Sequence, residues 1–341
     1  MEHKIAKGNK FRKWLLLFQL VLLFVAVVFT ILVYIIDSIP RYNIDRNALE
    51  AIQLNNNYTN IAFFGLDTRI DDDGPSRSDT IMIASINNST GEIRIVSVFR
   101  DTLMQQQDGT LDKAAHAYAF GGPAEAVAML NRNLDLDIEK YITVIFASLA
   151  AIIDAIGGIE VEASFEELYQ INLHSPDTAN NIGRPVPPPI SEEQQGRVTL
   201  NGIQAVAFTR IRFTEGGDFR RAERQREVLE EIMRKITTAN PVQLIRVMNE
   251  VAPDVVTNMT TWEILGQGFN IIRRNMGEME GYPFDLTTGY VSWSNANYVI
   301  PINASNNVRE LHRFLFDDYS YQPTERMNGI SDNISWSTGL H

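Results

Sequence analysis

The sequence predicts an α/β fold, a sheet covered by helices, carried behind one membrane-spanning helix. Three observations predict it. From residue 61 onward, short apolar or β-branched runs of strand length alternate with longer helical stretches, the pattern of a sheet with helices packed on it. Two of these runs, Thr80 to Ile86 and Glu92 to Val98, flank a turn at Asn87-Asn88-Ser89-Thr90-Gly91 and read as a hairpin. Near the start, Trp14 to Ile36 is a 23-residue apolar run broken only by Gln19 and Thr30, and a helix needs roughly 20 such residues to cross a bilayer.

The elements follow in order. Residues 1–13 carry Lys4, Lys7, Lys10, Arg12 and Lys13, and only Asp37 closely follows the apolar run. That asymmetry sets the N-terminus in the cytoplasm and the rest outside. The run is too long for the ~7–15-residue core of a signal peptide, so residues 14–36 are expected to stay as an anchor. Residues 37–57 read as a linker, 58–320 as an extracytoplasmic domain and 321–341 as a loose tail. Within the domain, Ile61 to Phe64 is a buried strand, followed by the hairpin. Lys113 to Phe120 and Pro123 to Asn131 read as helices broken by Gly121-Gly122. Tyr141 to Phe146 is a strand, Ser148 to Ile156 a helix stopped by Gly157-Gly158, and Ile159 to Ala163 a strand. Asn172 to Gln195, with Pro185, Pro187, Pro188 and Pro189, reads as a surface loop. Helices are expected over Phe219 to Thr237, Pro241 to Val251, Trp262 to Arg273 and Val308 to Phe316, and a late strand over Asn297 to Pro301.

Composition excludes several functions. The chain has no cysteine, so disulfide frameworks, thiol nucleophiles and thiolate metal sites are out. Beyond residue 40 it carries 25 basic against 40 acidic residues, a net charge near −15. No nucleic-acid partner is expected, since such partners want a basic surface. There is no GxxxxGK[ST] loop, GxGxxG, HExxH or GxSxG, and the five histidines are scattered. His116 reads as structural.

What stands out against the acidic background is a set of arginines and aspartates placed where the pattern says inside. Buried charge is costly unless paired, and a phosphate-rich anion would pair it. Val228, Leu229, Ile232, Met233 and Ile236 form an apolar helical stripe that extends back through Gln225, Arg224 and Arg221. Asp218 stands before it as an N-cap. Helix N-termini attract anions, although these arginines could equally pair with nearby carboxylates. If Arg210-Ile211-Arg212 is extended, both guanidinium groups share one face, which suits bidentate phosphate binding. Arg100 and Asp101 follow a strand end, where α/β folds often place sites. Asp67 and Asp79 border buried strands and suit Mg²⁺, or act as caps. Asp71 to Asp73 read as a solvated turn.

The ordered set of these segments resembles the LytR-CpsA-Psr family. It comprises Gly65-Leu66-Asp67-Thr68-Arg69, Arg77-Ser78-Asp79-Thr80, Ser97-Val98-Phe99-Arg100-Asp101-Thr102, and Lys113 with His116-Ala117-Tyr118 and Gly121-Gly122. Gly157-Gly158-Ile159, Leu200-Asn201-Gly202, Arg210-x-Arg212 and Asp218-Phe219-x-Arg221-x-x-Arg224-Gln225 complete it. The resemblance implies a central mixed β-sheet flanked by helices, with a hydrophobic groove for a lipid. It implies a phosphotransferase moving a glycopolymer, teichoic acid or capsule-like, from a polyprenyl-pyrophosphate carrier to peptidoglycan at the cytoplasmic membrane. By resemblance, Arg100, Arg210, Arg212 and Arg221 hold the pyrophosphate, with Arg69, Asp101, Asp218, Arg224 and Gln225 as further site residues. Asp67 and Asp79 would serve Mg²⁺ (or Mn²⁺). Alternatives are a hydrolase of the same pyrophosphate and a non-catalytic regulator that binds prenyl phosphates. Two departures from the family pattern are Phe99 in place of proline and Ala114-Ala115 after Lys113.

Overall fold

The computed structural model describes residues 2–54, 57–66, 76–211, 217–273 and 276–340. For 2–13, 15–17, 24, 217–218, 269–273 and 276 it describes the backbone alone. Helix α1 (Glu2–Asp37) contains a stretch, Phe18–Asp37, long and apolar enough to cross a membrane, with mean hydropathy 2.9. Strands β1 (Tyr58–Leu66), β2 (Ser78–Asn87) and β3 (Ile93–Val98) form an antiparallel meander around the expected hairpin turn. A short antiparallel pair follows, β4 (Leu103–Gln105) and β5 (Leu111–Lys113). Lys113, expected in a helix, therefore ends a strand, and α2 starts at His116 and runs to Leu134. Its backbone is broken at Gly121 and Gly122 as the glycine pair predicts, with Gly122 at φ 64°.

Next come β6 (Lys140–Ile145), α3 (Phe146–Ala155), β7 (Ile159–Ala163) and α4 (Phe165–Asn181). Helix α4 replaces the first half of the expected surface loop. Its start is fixed by a capping box, Ser164 accepting from the Glu167 amide while Glu167 accepts from the Ser164 amide. Strand β8 (Gly196–Leu200) pairs with β7, and α5 (Gly202–Arg210) begins behind an Asn201–Gln204 capping box. Gly202 lies against α3: a Cβ there would sit 2.1 Å from the Ala150 carbonyl oxygen. Then follow α6 (Gly217–Thr238), α7 (Pro241–Val251), β9 (Val256–Thr257), α8 (Thr261–Arg273), β10 (Met276–Tyr282), β11 (Leu286–Val291), β12 (Ser294–Pro301), α9 (Ala304–Phe316) and α10 (Glu325–Thr338).

The main sheet has order β10-β3-β2-β1-β6-β9. It is mixed: β1 runs parallel to β6 and β3 parallel to β10, the other pairs being antiparallel. Strand alternation sorts its residues onto two faces. Ala62, Phe64, Ile81, Ile83, Val96 and Val98 pack into one core cluster with α2, α9 and α10. Ile61, Met82, Ala84, Ile86, Ile93 and Ile95 face the opposite side, toward Leu229 of α6 and Ile264 of α8.

Two terminal segments are more ordered than the sequence suggests. In the expected linker, Leu49 is 1% exposed in the main core and its carbonyl accepts from Asn131 Nδ2 at 2.8 Å. In the expected loose tail, α10 packs Met327, Ile330 and Ile334 into the same core. Both segments carry isolated apolar residues at the right spacing, too few to register as periodic without the partner surface.

Candidate active site

The site is assembled at the ends of β2 and β3 and the first turns of α6. In the β1–β2 ladder, Gly65 pairs Thr80 while Leu66 pairs Ser78. Asp79 is the extra residue of that bulge, a device that re-aims a side chain. It is 8% exposed. One carboxylate oxygen, Oδ1, takes a short charge-assisted bond from Arg100 Nη1, and the other, Oδ2, accepts from Arg221 Nη2 at 2.6 Å. Arg221 is buried too, and its Nε donates to the Thr209 carbonyl at 3.4 Å. Lys113 Nζ and Arg100 Nε share Asp101 Oδ1, at 2.8 and 3.5 Å. Asp79, Arg100, Asp101 and Arg221 line a cleft of about 20 Å³ with Phe99, Phe219, Ala222 and Gln225, room for about one water.

Behind this lies a second buried pair. Arg224, 0% exposed, donates from Nε to Glu167 Oε1 at 2.9 Å and from Nη1 to the Ile211 carbonyl at 3.1 Å. Arg220 Nη2 reaches the same Glu167 oxygen at 3.3 Å. Burial pushes the Glu167 carboxyl up, but the Ser164 amide and the two guanidinium groups outweigh it and hold its pKa below the ordinary value. Glu167 was missed by sequence reasoning. Its signal was the Ser164-x-x-Glu167 capping pattern, which would have placed it in a first helical turn.

The structure brings together Asp79, Arg100, Asp101 and Arg221, with Arg224 and Gln225 buried alongside. The shared face expected if Arg210-Ile211-Arg212 is extended does not hold at Arg210, which is helical, while Ile211 is extended. Arg210 closes α5, its Nη1 3.3 Å from Thr178 Oγ1 and 3.8 Å from Asp177 and its guanidinium over the Phe146 ring. The expected N-cap Asp218 lies inside the first turn of α6, whose backbone starts at Gly217; its side chain is outside the description. Asp67, Arg69, Asp71 to Asp73 and Arg212 lie outside the described residues. His116 Nδ1 lies 2.7 Å from Asp112 Oδ2.

Phe99 has its own explanation. Its N–H donates to the Tyr282 carbonyl at 3.0 Å, a bond proline cannot make. Its ring packs edge-on against Phe219 at 5.0 Å and lies where a Cβ on Gly281 would come within 2.9 Å.

Both Asp79 oxygens face guanidinium groups, and no group of three or more His, Asp or Glu side chains able to hold a metal is found among the described residues.

Next to the charged cluster the cavity-side face of the sheet encloses an apolar space of about 320 Å³. Strand residues Ile61, Phe63, Met82, Ile95 and Ile142 form one wall, and Val228, Ile232 and Met233 of α6 and Ile264 and Gly268 of α8 the other. Gln225 lines both this space and the charged cleft, and Thr80, next to Asp79, lines the apolar one. The arrangement fits an amphiphile with an anionic head and a long apolar tail.

The model of the LytR_cpsA_psr family matches residues 37–311. The chain is similar to the polyisoprenyl-teichoic acid–peptidoglycan teichoic acid transferases TagU of Enterococcus faecalis, 30% identical over 64% of this chain and 66% of the relative, and of Bacillus subtilis, 31% over 60% and 62%. These matches span just under two thirds of each relative. Among solved structures it is similar to TagT bound to LI-WTA, with TM-score 0.59 and 19% identity over 88% of this chain and all of that one. It is also similar to B. subtilis TagV, with TM-score 0.59 and 23% identity over 79% of this chain and all of that one. At such identities the structural likeness concerns the fold.

Proposed function

The chain belongs to the LytR_cpsA_psr family, and from that premise we propose that it is a membrane-anchored phosphotransferase. It moves a teichoic acid or capsule-like glycopolymer from a polyprenyl-pyrophosphate carrier to peptidoglycan, with α1 anchoring it and the domain on the outer side. The observation that carries this reading is the junction at Gln225, where a buried arginine cluster abuts a deep apolar cavity. A polyprenyl pyrophosphate has that same division. The names of the TagU relatives support the class of donor and acceptor.

In the proposed reaction a sugar hydroxyl attacks the phosphorus next to the glycopolymer. A new phosphodiester forms, the bridging P–O bond breaks, and polyprenyl phosphate leaves. Arg100 and Arg221 neutralise the charge that builds on the phosphoryl oxygens, which is the main work of such an enzyme. The cleft as it stands admits about one water, so the diphosphate must replace Asp79 as the partner of both arginines. Asp79 and Asp218 are the candidates for taking the hydroxyl proton. A cation, Mg²⁺ or Mn²⁺, at Asp67 and Asp79 belongs to the proposal by resemblance alone, and no step above uses it.

The test is the purified protein incubated with a polyprenyl-pyrophosphate saccharide and peptidoglycan oligomers, with and without chelator, read by mass spectrometry. A phosphodiester conjugate, lost in Arg221→Ala, is expected. Saccharide phosphate released equally with and without acceptor would overturn transfer in favour of hydrolysis.

A further inference from the structure

The end of α1 does not leave the domain as a free tether. Ile35, Ile36 and Ile39 are buried and Val28 and Leu32, at helical spacing before them, half-buried, whereas Phe29, Ile31 and Tyr34 are exposed. The covered stripe faces α7 and α8, with Ile35, Ile36 and Ile39 in one cluster with Val247, Val251, Val255 and Ile264. Above it lies a polar layer. Arg41 Nη2 donates to the Ile36 carbonyl at 2.9 Å and to Thr261 Oγ1 at 3.2 Å, and Thr261 Oγ1 donates to Asp37 Oδ1 at 3.0 Å. One residue on, Trp262 is 68% exposed and turned down the anchor, its ring 6.4 Å from that of Phe29.

Length decides where that puts Trp262. The apolar stretch Phe18–Asp37 has 20 residues, about 30 Å of helix, which is about the thickness of the hydrocarbon layer. With no slack, the part of α1 alongside Trp262 lies within the membrane. Counting about 20 residues from Trp14 instead ends the span near Val33 and still leaves Phe29 roughly 6 Å inside. Tryptophan is favoured at that level, and an exposed indole beside an apolar helix surface is poorly placed in water.

We infer that the first turn of α8, with Trp262 at its tip, is seated in the interfacial layer of the same bilayer that α1 crosses. The inference rests on the anchor reading of α1 and is independent of which polymer is transferred. Its functional meaning follows from the next turn of α8: Ile264 and Gly268 wall the apolar cavity. The cavity wall thus rises directly from the lipid, and a carrier tail passes along α8 without crossing water.

The test uses the full chain in lipid vesicles and its four tryptophans, Trp14, Trp262, Trp293 and Trp336. Trp14, Trp293 and Trp336 are exposed, so W14F/W293F/W336F should fold and leave Trp262 as sole reporter. Vesicles containing brominated acyl chains are expected to remove most Trp262 emission and to spare a variant that keeps only Trp336. A variant keeping only Trp14 reports the anchor. If Trp14 is quenched and Trp262 is not, the inference is overturned and the anchor stands. If neither is quenched, the anchor reading falls and the inference with it.

Discussion

The two faces of the central sheet are built from the same strands and end up as opposites. On the α2 side, Phe64, Ile81, Ile83 and Val96 meet Met129, Leu130 and Leu134, all at 0–1% exposure, in a closed core. On the α6–α8 side, the alternate residues Ile61, Met82, Ala84 and Ile95 look onto a space of about 320 Å³. Alternation sorts the residues but does not decide whether a face is filled. That is decided by the covering helices: after its glycine break α2 brings Val127, Met129, Leu130 and Leu134 to the core, whereas α8 brings Gly268 and α6 spends its first turns on Arg221, Arg224 and Gln225. A sheet face becomes a binding surface where the opposing helix declines to fill it.

The comparison can be broken most sharply on the closed side. Leu130→Ala should cost about 2–5 kcal/mol, seen as a lower midpoint in urea unfolding; a cost near zero would mean that this face is not close-packed. At the charged edge, Arg100→Ala should slow transfer by about 10²–10³-fold with an unchanged circular dichroism spectrum, because Arg221 still pairs Asp79. On the open side, Ala84→Leu should change stability by less than about 1.5 kcal/mol, since the added carbons enter existing space. It should still weaken use of long-chain carriers more than short-chain ones in competition assays. A destabilisation as large as that of Leu130→Ala would erase the contrast between the faces.

The smallest effect concerns pH. The Glu167 carboxyl is held below its ordinary value of 4.5, so the folded state binds that proton less readily than the unfolded chain. Its contribution is complete above that ordinary value and is lost as pH falls through the lowered one. Glu167→Gln should therefore flatten the acid side of the melting-temperature profile and leave the profile near neutrality parallel to the parent's.

Much of this was legible in the chain. The apolar run from Thr80 to Ile86, the glycine breaks at Gly121-Gly122 and Gly157-Gly158, and Pro241 at a helix start are local signals, and the structure follows them. The apolar stripe of α6 correctly carried inward to Arg221, Arg224 and Gln225. What was not legible depends on distant partners. Arg210 shares a face with Arg212 only if Arg-Ile-Arg is extended, yet Arg210 closes the helix that begins behind the Asn201–Gln204 cap. Leu49 and the α10 residues are core only because α2 offers them a surface. The cavity leaves no trace in hydropathy, since Ile95 reads the same beside a void as beside a leucine.

One contact far from the chemistry sets its alignment. Gly202 lets α5 touch the backbone of α3 at Ala150, and α5 ends at the Thr209 and Ile211 carbonyls that hold Arg221 and Arg224. The helix is a gauge block of about 12 Å between the two points. A single methyl at its near end must push that block outward, and the displacement arrives at the far end as a mis-set pair of guanidinium groups. In a kinetic assay, such a lesion would be mistaken for damage to the arginines themselves.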